Sequence, residues 1–207
     1  MGRNNSSARR TGFKDLKYGR YLILTNGEKT EPSYFNGFKK SLPQEMQDNI
    51  QISVLHCELN NLENEIQRKK ANAQYSKTYI VLDKDRESEE TLKKVKKIAK
   101  NNNCHIIFSA PCIEYWFLKH LNINTTFQES QYLPASQQCI TELKRHIRNY
   151  NKNDKDIYNT INFFGNEETA IKLAKEEFKP YKNKNLYDIN NATNIYELIE
   201  EIKYPKH

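Results

Sequence analysis

The chain alternates short apolar runs with longer amphipathic segments, a pattern typical of α/β folds. Runs rich in apolar and β-branched residues predict four strands, at residues 20–25, 50–56, 78–82 and 104–109. Apolar positions at helical spacing predict helices at about 31–42, 59–74, 88–101 and 111–121. Strand–helix alternation repeated four times indicates a mostly parallel four-stranded sheet with helices on both faces.

The strand pattern fades after about residue 121. Residues 135–149, 166–179 and 193–202 are predicted to be helical, and the segment 160–164 is interpreted as the end of a helix. The predicted organisation is a basic tail at 1–19, an α/β core at 20–121 and a mainly helical part at 122–207 that packs on the core.

Composition narrows the class of protein. The 1 Trp, 13 Tyr and 9 Phe are too many for a disordered chain. No stretch approaches the ~18 apolar residues of a membrane span, and no apolar run follows the basic N-terminus as in a signal peptide. A cytoplasmic protein without a membrane partner is expected. None of the 4 cysteines forms a C-x-x-C pair, so they are interpreted as free thiols rather than zinc ligands.

The net charge of +7 is unevenly distributed. Residues 1–20 hold six basic residues and one acidic residue, so the remaining 187 carry a net charge of only +2. Such a tail is either a solvated terminus or a sequence-independent contact to phosphates. The lysine-rich helix at 88–101 is interpreted as a solvated face.

Acidic residues follow two of the predicted strands. Asn26, Gly27 and Glu28 come after the first strand, and Asp83 and Asp85 come after the third. Ligands of open parallel sheets bind beyond the carboxyl ends of the strands, so Glu28, Asp83 and Asp85 are expected to converge there. Clustered carboxylates suit Mg²⁺ or Mn²⁺, which would serve phosphate chemistry. The adjacent cations Lys29, Lys84 and Arg86 are candidate phosphate contacts.

Each of these features also has an ordinary structural explanation. Asp85 is equally suited to cap the following turn. Glu114 follows the fourth strand, where it is either a further functional carboxylate or a helix-surface residue. Tyr150 and Lys152 combine an aromatic ring with a cation, as in a base-stacking and phosphate-binding pair, or form an exposed loop.

Four segments resemble the RloB-like family, which belongs among proteins with a Toprim-type catalytic core. They are residues 24–35, 81–86, 110–118 and 191–198, in the family's order and spacing. The pair Tyr150 and Lys152 is also similar to a family feature. The resemblance implies a Toprim-like α/β core with a helical C-terminal part. It further implies a bacterial nuclease effector of anti-phage defence that acts on tRNA or DNA beside an ABC-type ATPase.

One position departs from the Toprim pattern, because Asn26 stands where a catalytic glutamate is normal. Asn can offer a carbonyl oxygen to a cation but cannot act as a base, so Glu28 or Glu31 would have to take over. The first hypothesis is therefore a nuclease in which Asp83, Asp85, Glu28 and Asn26 bind the metal, Glu114 is a further ligand or orients water, and Lys29 and Lys84 stabilise the phosphate.

Two alternatives remain. A non-catalytic subunit would use the same fold to dock on the ATPase or to sense a phage component, and Asn26 favours it. A nucleotide-binding module is disfavoured, because the Gly27 turn lacks both G-x-G-x-x-G and the lysine-containing phosphate loop. The oligomeric state is left open, with a homodimer as one option.

Overall fold

A computed structural model describes residues 16–85 and 87–205 of the chain. Its sheet has five strands: β1 (Arg20–Thr25), β2 (Gln51–His56), β3 (Lys77–Asp83), β4 (His105–Ala110) and β5 (Ala192–Thr193). Their order is β2-β1-β3-β4-β5. The first four strands are parallel, and β5 pairs antiparallel with β4. The α/β class and the mostly parallel sheet are confirmed, but the prediction of four strands is wrong.

Nine helices lie within the described residues. They are α1 (Thr30–Ser41), α2 (Gln44–Asn49), α3 (Leu62–Asn72), α4 (Glu89–Asn101), α5 (Ile113–His120), α6 (Ala135–His146), α7 (Ile157–Phe164), α8 (Glu167–Phe178) and α9 (Ile195–Lys203). The pattern at 160–164 is indeed a helix end. Helix α5 begins two residues after Pro111, α6 ends three residues before the predicted 149, and Thr193 belongs to β5 rather than to α9.

The burial of the strands follows their place in the sheet. Central strands β1 and β3 are buried along nearly their whole length, as expected for strands covered on both faces. Strand β2 lies at the edge and is buried only at Ile52. Because β–α–β crossovers are right-handed, α1 lies on one face of the sheet and α3 and α4 lie on the other. The helical C-terminal part covers α1 and α5, through contacts of α7 with both and of α8 with α5.

Buried polar side chains fasten α5 to its neighbours. The Lys119 ammonium is fully buried and lies 2.6 Å from Glu177 Oε1 on α8. Tyr115 donates to the other oxygen of the same carboxylate over 3.1 Å. His120 packs edge-on against Trp116, with ring centroids 4.9 Å apart, and neither of its ring nitrogens has a hydrogen-bond partner among the described residues. Burial, with the positive charge of Lys203, lowers the pKa of His120 to about 3.

Two further predictions can be compared with the fold. All four cysteines are free, and three of them are buried. Among the described residues, no helix has the length and apolar character needed to cross a membrane. The predicted basic tail lies outside the described residues as far as residue 15.

Candidate functional site

The carboxyl ends of three neighbouring strands meet at one edge of the sheet. Thr25, the last residue of β1, pairs with Val81 of β3, and Asp83, the last residue of β3, pairs with Ser109 of β4. The ladder continues past the strand ends, because the Asn26 N–H donates to the Val81 carbonyl over 2.9 Å. The loops that follow β1, β3 and β4 therefore start side by side.

Two carboxylates are brought together by β3 and α5. The first turn of α5 lies over the end of β3, where the backbone N–H of Ile113 favours the ionised form of Asp83 and lowers its pKa. Glu114, the next residue of α5, is fully buried. Asp83 Oδ1 and Glu114 Oε2 are both buried and have no hydrogen-bond partner in the described part of the chain. Such atoms are rare in folded proteins, because each costs about 1–3 kcal/mol of desolvation, and more when charged.

The third carboxylate is Glu31, in the first turn of α1. Only 6% of Glu31 is exposed, and its own backbone N–H stabilises the carboxylate. Its position requires the glycine at 27, because a Cβ there would lie 1.9 Å from each of the two Glu31 carboxylate oxygens. We define Glu31, Asp83 and Glu114 as the carboxylate cluster.

The members of the carboxylate cluster perturb one another. Burial raises the pKa of Asp83 well above its ordinary value, and the negative charges of Glu31 and Glu114 raise it further. Burial also raises the pKa of Glu31, and Glu114 adds to the effect. Carboxyl groups whose ionisation is opposed by burial and by like charge are typical of functional sites. A proton or a cation bound among them would relieve that repulsion.

One lysine lies beside the cluster. Lys152 Nζ is 3.4 Å from Glu114 Oε1, and 53% of the lysine side chain is exposed. The Lys152 carbonyl accepts a hydrogen bond from the Thr30 hydroxyl at 3.0 Å, which ties this loop to α1. Burial alone would lower the pKa of Lys152, but Glu114 and Asp83 together raise it. A single half-exposed cation does not neutralise three carboxylates.

Tyr150 does not have the predicted exposure. Its side chain is only 5% exposed, and its hydroxyl donates to Glu114 Oε1 over 2.7 Å. The ring packs edge-on against Phe117 of α5. The interpretation of Tyr150 as a platform for a nucleic-acid base is therefore wrong. Instead, its hydroxyl occupies one oxygen of Glu114 and leaves the other without a partner.

An open cavity of about 420 Å³ lies over the cluster. Its acidic lining residues are Glu28, Glu31, Asp83, Asp85 and Glu87, and its basic ones are Lys29 and Lys152. Glu28, Lys29 and Asp85 are exposed at its rim. Asp85 Oδ1 accepts a hydrogen bond from the Ser136 hydroxyl at 2.6 Å, and the Asn26 amide donates to Glu87 over 3.4 Å. The structure thus brings Asn26, Glu28, Lys29, Asp83 and Asp85 to one cavity, as the sequence predicts.

One predicted phosphate contact, Lys84, is not among the described residues that line this cavity. Lys84 Nζ donates to the carbonyls of Tyr187 and Ile189 and to the Asn190 side chain, at 2.6, 3.0 and 2.7 Å. Those bonds fix it against the loop before β5, so the expectation that Lys84 reaches the phosphate is wrong. Consecutive residues of an extended chain point to opposite sides, which separates Lys84 from Asp83. Arg86 lies outside the described residues.

The donor atoms of the cluster fit a hard divalent cation. Carboxylate oxygens are the ligands that Mg²⁺ and Mn²⁺ prefer, and Mg²⁺ needs only one or two of them because it keeps several waters. Two unpaired buried carboxylate oxygens, Asp83 Oδ1 and Glu114 Oε2, are available. In residues 16–85 and 87–205, however, no three acidic, His or Cys side chains already stand at the spacing of a metal site. The fit is therefore one of donor chemistry, and the side chains would have to adjust to bind.

Sequence reasoning singled out Asp83 and Glu114, which the structure brings together, but it did not anticipate the place of Glu31. It ranked Glu28 as the completing carboxylate, whereas the buried partner of Asp83 is Glu31, which it named only as a substitute. The hydrogen bond from Tyr150 to Glu114 joins residues 36 positions apart, and no local pattern indicates it. The one signal in the sequence that pointed to Glu31 was Gly27, four residues before it.

Comparison with known proteins gives one match. The family model described as RloB-like protein matches residues 21–202, which is most of the chain. No curated protein and no solved structure matches the chain significantly. The family resemblance seen in the sequence is thereby confirmed, and the match carries no statement about activity.

Proposed function

The chain belongs to the RloB-like protein family, and from its carboxylate cluster we propose that it is a metal-dependent nuclease with a Toprim-like core. Its substrate would be tRNA or DNA, in the cytoplasm of a bacterium that uses it as an anti-phage effector beside an ABC-type ATPase. The observation that carries the proposal is the pair of buried carboxylate oxygens without partners, at the carboxyl edge of the central strands. Stability alone gives no reason to keep such atoms.

The proposed roles follow from position. Asp83 and Glu31, which line the cavity, would hold a Mg²⁺ or Mn²⁺ ion there, with Glu114 buried beneath them. When bound, such an ion supplies a polarised phosphoryl oxygen and a water of lowered pKa. Tyr150 is a positioning residue, because it acts through Glu114. Lys152 and Lys29 line the same cavity, where their charges would stabilise negative charge on the phosphate. Glu28 and Asp85, exposed at the rim, would contact the substrate or outer waters.

Nuclease assays on the full-length protein test this proposal. Wild type, Asp83→Asn, Glu31→Gln and the control Glu90→Gln, an exposed glutamate of α4, are incubated with labelled tRNA and DNA in Mg²⁺ or Mn²⁺. Each protein is assayed alone and, where an ABC-type ATPase gene adjoins its own, together with that ATPase. We expect the Asp83 and Glu31 variants to lose about 100-fold or more in rate and Glu90→Gln to retain activity. Identical products from wild type and Asp83→Asn would show that the cleavage does not arise here.

A second function is a catalytically weak binding subunit that docks on the ATPase or senses a phage component. It is favoured by Asn26 at the expected glutamate position and by the lack, in the described part of the chain, of three preassembled ligands. Calorimetric titration with Mn²⁺ separates the two. Binding that disappears in Asp83→Asn supports the nuclease, and the absence of any carboxylate-dependent binding supports the subunit.

A further inference from the structure

A second cavity, of about 570 Å³, lies beside the C-terminal end of α6 and is lined by cations and amides. The cations are Lys144, Arg148 and Lys152, and the amide side chains are Gln137, Asn149 and Asn151. None of the described residues that line it is a carboxylate. We call it the basic groove. Its volume is within the range of cavities that hold drug-sized ligands.

The cations of the basic groove are available to a ligand. Within residues 16–85 and 87–205, Lys144 and Arg148 have neither an ion pair nor a side-chain hydrogen bond, and both are exposed. Their neighbour Arg145, on another face of α6, is instead paired with Glu142 at 2.6 Å. Helical spacing explains the difference, because Gln137 and Lys144 are two turns apart on one face of α6. On α6 the paired Arg145 is thus separated from the free Lys144, and Arg148 lies two residues beyond the end of the helix.

The basic groove adjoins the carboxylate cluster. Lys152 lines both the groove and the cavity over the cluster. Tyr150 also lines the groove, and its hydroxyl donates to Glu114. A polyanion in the groove would therefore pass the proposed cleavage site at Lys152. Among the described lining residues there is no exposed aromatic ring, so recognition would be through charge and amide hydrogen bonds rather than base stacking.

We propose that the basic groove binds the phosphodiester backbone of one nucleic-acid strand and leads it across the carboxylate cluster. This inference rests on the proposed nuclease function and adds the path of the substrate. Lys144 and Arg148 would contact phosphates on one side of the scissile bond, and Lys152 would contact the phosphate nearest the carboxylates. Because these contacts are to the backbone, binding would be tolerant of sequence and strongly dependent on salt.

The test measures binding without cleavage. Fluorescence anisotropy in EDTA is recorded for labelled single-stranded RNA and DNA of about 20 nucleotides, over a salt series, with wild type and the double variant Lys144→Gln/Arg148→Gln. The loss of two phosphate contacts should weaken binding about tenfold and reduce the slope of log K against log salt by about 1.4. The matched control is Lys94→Gln/Lys97→Gln, which removes two lysines from α4 and should leave both quantities unchanged.

Each outcome decides the question. If only the groove variant binds RNA, DNA or both more weakly, the proposed role of the basic groove is supported. The affected ligand then shows whether the groove binds RNA, DNA or both. Unchanged binding, or an equal loss in the α4 control, overturns it. The single charge reversals Lys144→Glu and Arg148→Glu repeat the test at exposed positions, where folding is not at stake.

Cleavage assays with the same variants separate this inference from the nuclease proposal. If the groove variant binds weakly and no form of the protein cleaves, the groove is supported and the nuclease is refuted. If wild type cleaves and the groove variant retains its KM, the nuclease is supported and the groove is refuted.

Discussion

Replacing Asp83 by asparagine should stabilise the protein at neutral pH when no divalent cation is present. In wild type, Asp83 Oδ1 is buried without a partner among the described residues, and the nearby Glu31 and Glu114 oppose its charge. The carbonyl of the introduced amide can still accept the Ile113 N–H, and its NH₂ group can donate to the remaining carboxylates. Relieving one unsatisfied buried polar group is worth about 1–3 kcal/mol. For a chain of this length that corresponds to a rise in Tm of roughly 2–12 °C.

The gain should depend on pH in a defined direction. The pKa of Asp83 is raised in the folded state above its ordinary value of 3.8. Its protonated form therefore favours folding below the unfolded pKa, and this contribution is lost as pH rises through the folded pKa. The difference in Tm between Asp83→Asn and wild type should thus be small near pH 4 and grow towards neutral pH.

Thermal melts in EDTA across that pH range provide the measurement, and Glu28→Gln, at the exposed rim, provides the control. A stabilised Glu28→Gln, or an Asp83→Asn protein that melts below wild type at pH 7, would refute the reasoning. Added Mn²⁺ gives the complementary result. At 100 times its Kd, a bound ion should stabilise wild type by about 2.7 kcal/mol and the Asp83 variant by much less.

Four other changes test neighbouring features. Lys152→Met removes a half-exposed positive charge beside Glu114 and should tighten Mn²⁺ binding about two- to fivefold in calorimetry. Gly27→Ala forces the Glu31 carboxylate out of its place and should weaken Mn²⁺ binding about tenfold; unchanged affinity would remove Glu31 from the site. Lys119→Met leaves Glu177 without its buried partner and should lower the unfolding free energy, measured in urea, by about 2–3 kcal/mol. This loss is smaller than for a fully buried ion pair, because Glu177 is partly exposed. The pKa of His120 is lowered to about 3, so its neutral form stabilises the fold above the unfolded pKa. Relative to His120→Phe, the unfolding free energy of wild type should fall by about 1.4 kcal/mol per pH unit from pH 6 to pH 4. Parallel plots of unfolding free energy against pH for the two proteins would contradict this.

The sequence was sufficient to predict most of the sheet because the central strands are buried on both faces. Strands β1 and β3 are largely apolar runs that end in polar residues, and those ends mark the edge of the sheet where the carboxylate cluster lies. Strand β5 was missed for a physical reason. It is two residues long and forms only because β4 offers a free edge at Ser109 and Ala110. Its formation therefore depends on tertiary context, which a local pattern does not contain.

The structure brings most of the predicted site residues to one cavity, but their arrangement there differs from the one expected. The Asp-x-Asp pattern at a strand end suggested that both carboxylates point to the same side and face one ion. That inference requires the chain to stay extended through both residues. The chain turns at Asp85, whose φ is +22°, and its carboxylate accepts from Ser136. Glu31 was expected only as one of two possible replacements for the missing glutamate, and its place in the first turn of α1 did not indicate that its carboxylate is buried. Only the close approach of Gly27 shows that its carboxylate turns inward.

The same geometry bears on the substitution at Asn26. A glutamate there would bring a charge towards Glu87, to which the Asn26 amide now donates, whereas the neutral amide avoids that repulsion. A carboxylate nevertheless lies at the end of β1, because Glu31 lies against Gly27, one residue beyond Asn26. If the core is Toprim-like, as proposed, Glu31 in the first turn of α1 would supply the acid that Asn26 does not. In the proposed metal site, Asn26 would change which oxygen meets a cation, and the three carboxylates of the cluster would still attract one.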